Sequence, residues 1–220
     1  MVVTTTAIAF ISSSLGLGLC GFLFLRAFRK MGGLKAGNKA SFLLLGLIFS
    51  TAIQHGILGF GTLFFADSPD ILYWVFVLSN SFFISTTLFS VYLILYIFLP
   101  KISPWPLVFF GFLFSFFVVA SEIVVHPLPF VNPGNSIDWN FPNWLEVSIY
   151  LLVLLYIISF FCSFAMIFFR SDRRDVRVIS LIMVVTAFIG LLNVFLRFIL
   201  LFSKIEWLRL RLFDVTLAVI

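Results

Sequence analysis

The chain has 220 residues, 62% of them hydrophobic and only 10% charged, with 32 Phe. Soluble domains are usually about 25% charged, so no water-facing surface can be built from this composition and lipid is the expected solvent. The formal net charge of +5 does not point to nucleic acid, because the basic residues sit in short loops between apolar runs, where membrane orientation accounts for them.

A spanning helix needs about 20 apolar residues. Six runs reach that length, at 3–25, 41–65, 71–99, 106–125, 144–169 and 178–202. They are continuous rather than alternating and far longer than a barrel strand of about ten residues. The predicted fold class is therefore an all-α polytopic bundle, a single transmembrane domain. The first run lacks the basic leader of a cleaved signal peptide and is expected to stay as the first span.

Lys and Arg fix the expected orientation. The first loop holds Arg26, Arg29, Lys30, Lys35 and Lys39, the third holds Lys101, and the fifth holds Arg170, Arg173, Arg174 and Arg177. The second and fourth loops hold none. Odd loops are then cytoplasmic and the N-terminus lies outside. The basic loops could also meet anionic lipid or a cytoplasmic partner.

Helix punctuation agrees with these runs. Ser68 before Pro69, and Ser103 before Pro104, read as N-caps with Pro in the first turn. Asn143 with Glu146 three residues on reads as a capping box, which makes Glu146 a cap rather than a catalytic acid. In the fourth loop "NPGN" is a turn, and Trp139 and Trp144 suit the interfacial belt. That loop is long enough for a small cap over the bundle. After the sixth run "SKIE", Ser203 to Glu206, restarts a helix; residues 204–220 read as a partial seventh span cut off at Ile220.

Enzyme signatures are missing from the sequence: there is no G-x-S-x-G, H-E-x-x-H, Walker loop or dinucleotide glycine pattern. Two isolated histidines with scattered acids do not make a metal site. Cys20 and Cys162 lie in apolar runs and read as packing residues. All five lysines lie in loops or at helix ends, which excludes a retinal pigment. The expectation is a non-enzymatic protein without cofactor or metal.

What remains is a set of polar residues inside the spans. Ser50, Thr51, Gln54, His55, Gly59 and Thr62 recur at helical spacing and read as one small, polar face of the second span. The third span carries Ser79, Asn80, Thr86, Thr87 and Ser90, the fourth Glu122, and the sixth Asn193 and Arg197. Small and hydroxyl residues, including Ser14 with Gly18 and Gly111 with Ser115, are expected to serve helix packing. Glu122 and Arg197 sit roughly 6–9 Å below the outer ends of two parallel spans, at about 1.5 Å per residue. Arg197 has three candidate roles: snorkelling to the headgroups, pairing with Glu122, or pairing with Asp214.

The third run, "YWVFVLSNSFFISTTLFSVYLILYIFL", and "FDVT" near the end resemble the Trp-led third helix and the last-helix start of the seven-helix sensory module that precedes bacterial histidine kinases and diguanylate cyclases. That resemblance implies a membrane sensor with an outside N-terminus and a cytoplasmic signalling partner. No output domain follows in this sequence, and no ligand residues carry over. The residues themselves favour a sensor or receptor-like module reading a small ligand or lipid in the outer half, with His55, Asn80, Glu122, Asn193 and Arg197 as candidate site. A small transporter or channel, and a structural subunit of a membrane complex, remain the alternatives. The inner stretches "SFLLLGLIF" and "VISLIMVV" are apolar, which favours a dead-end pocket over a pore.

Overall fold

The computed structural model describes residues 4–30, 39–131, 135–172 and 174–202. Six helices follow the six apolar runs: α1 (Thr5–Lys30), α2 (Lys39–Phe65), α3 (Pro69–Phe98), α4 (Trp105–Val125), α5 (Asn143–Arg170) and α6 (Arg174–Phe202). Each is long and apolar enough to cross a membrane. Large apolar side chains such as Phe109, Phe116 and Phe195 are more than half exposed on the bundle's outside. In water such a surface would aggregate; against acyl chains it is the expected one. The protein is a multi-pass helical membrane bundle. The SKIE box, the partial seventh span with Asp214 and "FDVT", and the central residues of the NPGN turn lie outside the described residues.

Helix α3 is the central element. It packs against α2, α4 and α5, while α1 packs on α2 and α6 mainly on α5. Glycines allow the closest of these approaches. A Cβ added at Gly59 would stand 2.8 Å from the backbone nitrogen of Ile11 in α1, and one at Gly61 would run into Val75 in α3. At Gly111 an added Cβ would meet Val91 and Thr87 of α3 at 3.2 and 3.3 Å. Gly18 has nothing within 4 Å of its added Cβ, so the packing role expected of the Ser14–Gly18 pair holds for Ser14 alone. Ser14 Oγ donates to the carbonyl of Ala52 at 2.7 Å.

The loop from 126 to 142 forms a short antiparallel hairpin of β1 (Phe130–Val131) and β2 (Ile137–Asp138). Sequence reading placed a turn here but no strands, since two-residue strands have no periodicity to detect. The hairpin is tied to the start of α1. The Thr5 backbone N–H donates to the Asn135 carbonyl at 3.0 Å, and the Ile137 N–H donates to Thr6 Oγ1 at 3.0 Å. Thr4 Oγ1 caps α1 by accepting the Ala7 N–H at 3.1 Å. Trp139 does not turn its ring outward as a belt residue would. It is buried, its ring 4.3 Å from that of Phe76 in α3. Trp144 is half exposed, as a belt residue would be.

Two expected caps are replaced by simpler starts. Pro104, not Ser103, occupies the N-cap of α4, and Pro142, not Asn143, that of α5. Neither makes a side-chain capping bond, and the same is true of Ser68 at α3. Proline presets the backbone for entry and gives up no helical donor there, so the serine and asparagine are not needed as caps. Glu146 accepts the Tyr150 hydroxyl one turn on at 2.6 Å.

Candidate functional site: a buried polar layer under the hairpin

Three helix interfaces fix the relative heights of the polar side chains. Antiparallel α2 and α3 meet at Ser50–Thr86, 3.2 Å apart, and again at Gly61 against Val75. Interpolation between those contacts sets residue 56 level with Asn80. On the other side of α2, Ser13 Oγ and His55 Nδ1 lie 2.7 Å apart. Across α3, Asn80 Nδ2 donates to Glu122 Oε1 at 2.8 Å. Ser13, His55, Asn80 and Glu122 therefore form one transverse layer through α1 to α4.

The layer contains two separate pairs. The polar positions of α2 do not share one face. Ser50 reaches α3, whereas His55 and Gly59 face α1. His55 also packs on the Phe10 ring, 5.3 Å between centroids. Thr51 and Thr62 turn their hydroxyls onto carbonyls of α2 itself. Candidate residues His55 and Asn80 thus share a height but serve different interfaces.

Glu122 is held most firmly. Its side chain is fully buried (0% exposed) and that of Asn80 nearly so, at 1%. Its backbone carbonyl accepts two donors: the His126 N–H at 3.0 Å and the Tyr73 hydroxyl at 3.2 Å. His126 ends α4 in a left-handed conformation, φ 47°, and its ring lies 4.0 Å from that of Tyr73. The carboxyl is therefore fixed from the backbone side by α3 and from the side-chain side by Asn80. Glu122 Oε2 has no hydrogen-bond partner among the described residues, and neither has Gln54 Oε1. A buried oxygen without a donor is costly, more so in a carboxyl.

The layer is deeper than the length of α4 suggests. Glu122 is three residues from the end of α4, but Asn80 is eleven residues into α3, about 16 Å at 1.5 Å per residue. α3 overtops α4, and Trp139 and Phe141 of the hairpin cover Phe76 in the step between them.

Arg197 and Asn193 lie on α6, but their side chains are outside the described residues. The height of Arg197 can still be read from its neighbour: Phe198 packs on Tyr150 of α5, 5.9 Å between ring centroids. Ser159 of α5 donates to the Ser90 carbonyl of α3 at 3.4 Å, so in these parallel helices Ile149 stands level with Asn80. Arg197 thus starts at the height of the layer. Its helix, however, packs mainly on α5, and Glu122 lies on α4, which packs mainly on α3. Among the described residues, α4 and α6 thus have different main neighbours.

Sequence reading missed Tyr73 and Thr6, which anchor Glu122 and the hairpin. A tyrosine near a span's end reads as an interfacial residue, and nothing local shows that its hydroxyl reaches another helix. The half of the bundle away from the hairpin has a different character. An open groove of about 340 Å³ runs there between α3, α4 and α5, lined by Val91, Ile94, Leu107, Phe110 and Leu155 among others, without a polar side chain. It suits an acyl chain and offers nothing to orient a polar ligand.

No known protein family matches this chain, and neither does any curated protein or solved structure.

Proposed function

We propose that the chain is a non-enzymatic sensor or receptor-like module of the cell membrane that reads a small ligand in the polar layer beneath the hairpin. The observation that carries this reading is Glu122, fully buried in a spanning helix with one carboxyl oxygen unpartnered. Ionisable groups inside a membrane are expensive and usually mark a ligand, ion or proton site. The hairpin, tied to α1 and stacked on α3, lies where binding beneath it could be felt by several helices at once.

The orientation follows the basic loops: the hairpin and N-terminus face outside, and Lys101, Arg170, Arg174 and Arg177 face the cytoplasm. A cytoplasmic signalling partner would then meet the far ends of α3 to α6. The resemblance of the third span to the seven-helix sensory module supports the same role. The second reading, a transporter, draws on the same carboxyl. The apolar groove and the inward-turned hydroxyls of the opposite half favour a pocket closed at its base.

Two experiments test this. Single cysteines at positions 38 and 135, in a chain with Cys20 and Cys162 replaced, are labelled in intact cells with an impermeant reagent. Labelling at 135 alone is expected, and labelling at 38 alone reverses the orientation. For the ligand, the purified chain is screened for thermal stabilisation by small polar compounds. The sensor reading expects a compound that stabilises wild type, loses its effect on Glu122→Gln and is not accumulated by proteoliposomes. Gradient-driven uptake of that compound makes the chain a transporter.

A further inference from the structure

The unsatisfied atoms of the layer specify the sign and size of what binds there. Both are acceptors, Glu122 Oε2 and Gln54 Oε1. An anion would add a third acceptor, so the ligand must bring a donor or a positive charge. The layer's other side chains, Ser13, His55, Ser79 and Asn80, can all be neutral, and no basic side chain is described against Glu122. One carboxyl is balanced by one positive charge; a divalent ion would leave an excess charge inside the bilayer.

The donor set narrows the choice. Glu122 offers two oxygens, and Asn80 Oδ1 lies 3.5 Å from Ser79 Oγ. A half-turn of the Asn80 amide exchanges Nδ2 for Oδ1 beside the carboxyl. Oxygen-only ligands suit hard cations rather than the soft metals that take His or Cys. No cluster of three His, Cys, Asp or Glu side chains exists among the described residues. Space is short as well. Val118, one turn before Glu122 on the same face, and Tyr73, which clamps its carbonyl, are both buried to 1% exposure or less. Close-packed surroundings of this kind favour a small ligand over a bulky one.

The geometry points to a binding site for one small monovalent cation, of the size of sodium or lithium, between Glu122 and Asn80. It rests on the reading of the layer as a ligand site and supplies that ligand's chemical class. Bound there, the cation links α3 to α4 directly beneath Tyr73 and the hairpin, so occupancy tightens the hairpin side of the bundle.

The test uses the full chain in lipid nanodiscs, with lithium, sodium or potassium chloride titrated against N-methylglucamine chloride at constant ionic strength. Sodium or lithium is expected to raise the melting temperature saturably, by about 3–5 °C at ten times the midpoint concentration. Glu122→Gln is expected to abolish the rise, and retention of radioactive sodium by the wild-type chain is expected to saturate at one ion. Should Glu122→Gln not fold, Glu122→Asp serves, since it keeps the charge but withdraws it by one methylene. Its midpoint should move at least about threefold. No cation-specific rise, an equal rise in Glu122→Gln, an unmoved midpoint in Glu122→Asp, or a response to calcium or magnesium alone overturns the inference. If a neutral compound stabilises wild type but not Glu122→Gln while cations do nothing, the cation is wrong and the ligand site stands. If neither cations nor polar compounds act, both readings fall.

Discussion

Away from the hairpin, Ser159 and Ser163 of α5 donate their hydroxyls to carbonyls one turn back in their own helix, at 2.8 and 2.6 Å. Toward the hairpin, Ser13 meets His55 and Asn80 meets Glu122 across helix interfaces. The difference follows from reach. A hydroxyl one bond from Cβ lies within range of the i−4 carbonyl and can be satisfied at home. An amide, carboxyl or imidazole extends past its own backbone and must find a neighbour. Away from the hairpin the short hydroxyls thus bond mostly to carbonyls of their own helix, with Ser50–Thr86 and Ser159–Ser90 as bridges at 3.2 and 3.4 Å; toward it, longer side chains link the helices at 2.7 and 2.8 Å.

The glycines separate the halves in the same way. Near the layer, Gly59 abuts the Ile11 backbone, which cannot move aside; away from it, an added Cβ at Gly46 meets only the Phe89 ring edge, at 2.6 Å. Gly59→Ala is expected to destabilise by about 2 kcal/mol, within the range for overpacking, and to melt well below Gly46→Ala in detergent. Equal losses would mean that the two halves are equally compliant. Next in size is Gln54→Leu. It removes a buried unpartnered oxygen and should stabilise by about 1 kcal/mol, read as a rise in melting temperature; a fall would show that Gln54 Oε1 has a partner. Ser163→Ala removes only an own-helix bond and should change stability by less than about 0.5 kcal/mol, measured in the same assay. Smallest is the coupling between Glu122→Gln and Arg197→Leu. With α4 mainly on α3 and α6 mainly on α5, the two should add to within about 0.5 kcal/mol. A larger coupling restores the pair that their similar depth suggests.

The spans were legible in the sequence because a long apolar run is a property of each segment alone. The helices begin and end within a few residues of the runs at 41–65, 71–99 and 144–169. The caps were less so: Ser103 and Asn143 have the right chemistry, but the neighbouring prolines set the start. The candidate site was half legible. Asn80 and Glu122 stand out as polar atoms in lipid, yet their pairing depends on α3 being central, which no local pattern encodes. For Glu122, sequence depth suggested a partner on α6, and the packing supplied one on α3. Trp139 was misplaced for the same reason. An aromatic near a span's end suits both the headgroup belt and a buried lid, and only the hairpin's fold over Phe76 decides between them.

The most direct test is a double-mutant cycle on Asn80→Leu and Glu122→Leu, read by thermal unfolding in nanodiscs. Asn80→Leu alone leaves both carboxyl oxygens without a donor, so it should be the more damaging single change, and removing the carboxyl as well should recover much of the loss. A coupling of at least about 1 kcal/mol, at the upper end of what interhelical hydrogen bonds in membranes show, is the predicted result. Additive losses within about 0.3 kcal/mol would contradict it: the two side chains would not be partners, and the layer would be a set of independent packing residues.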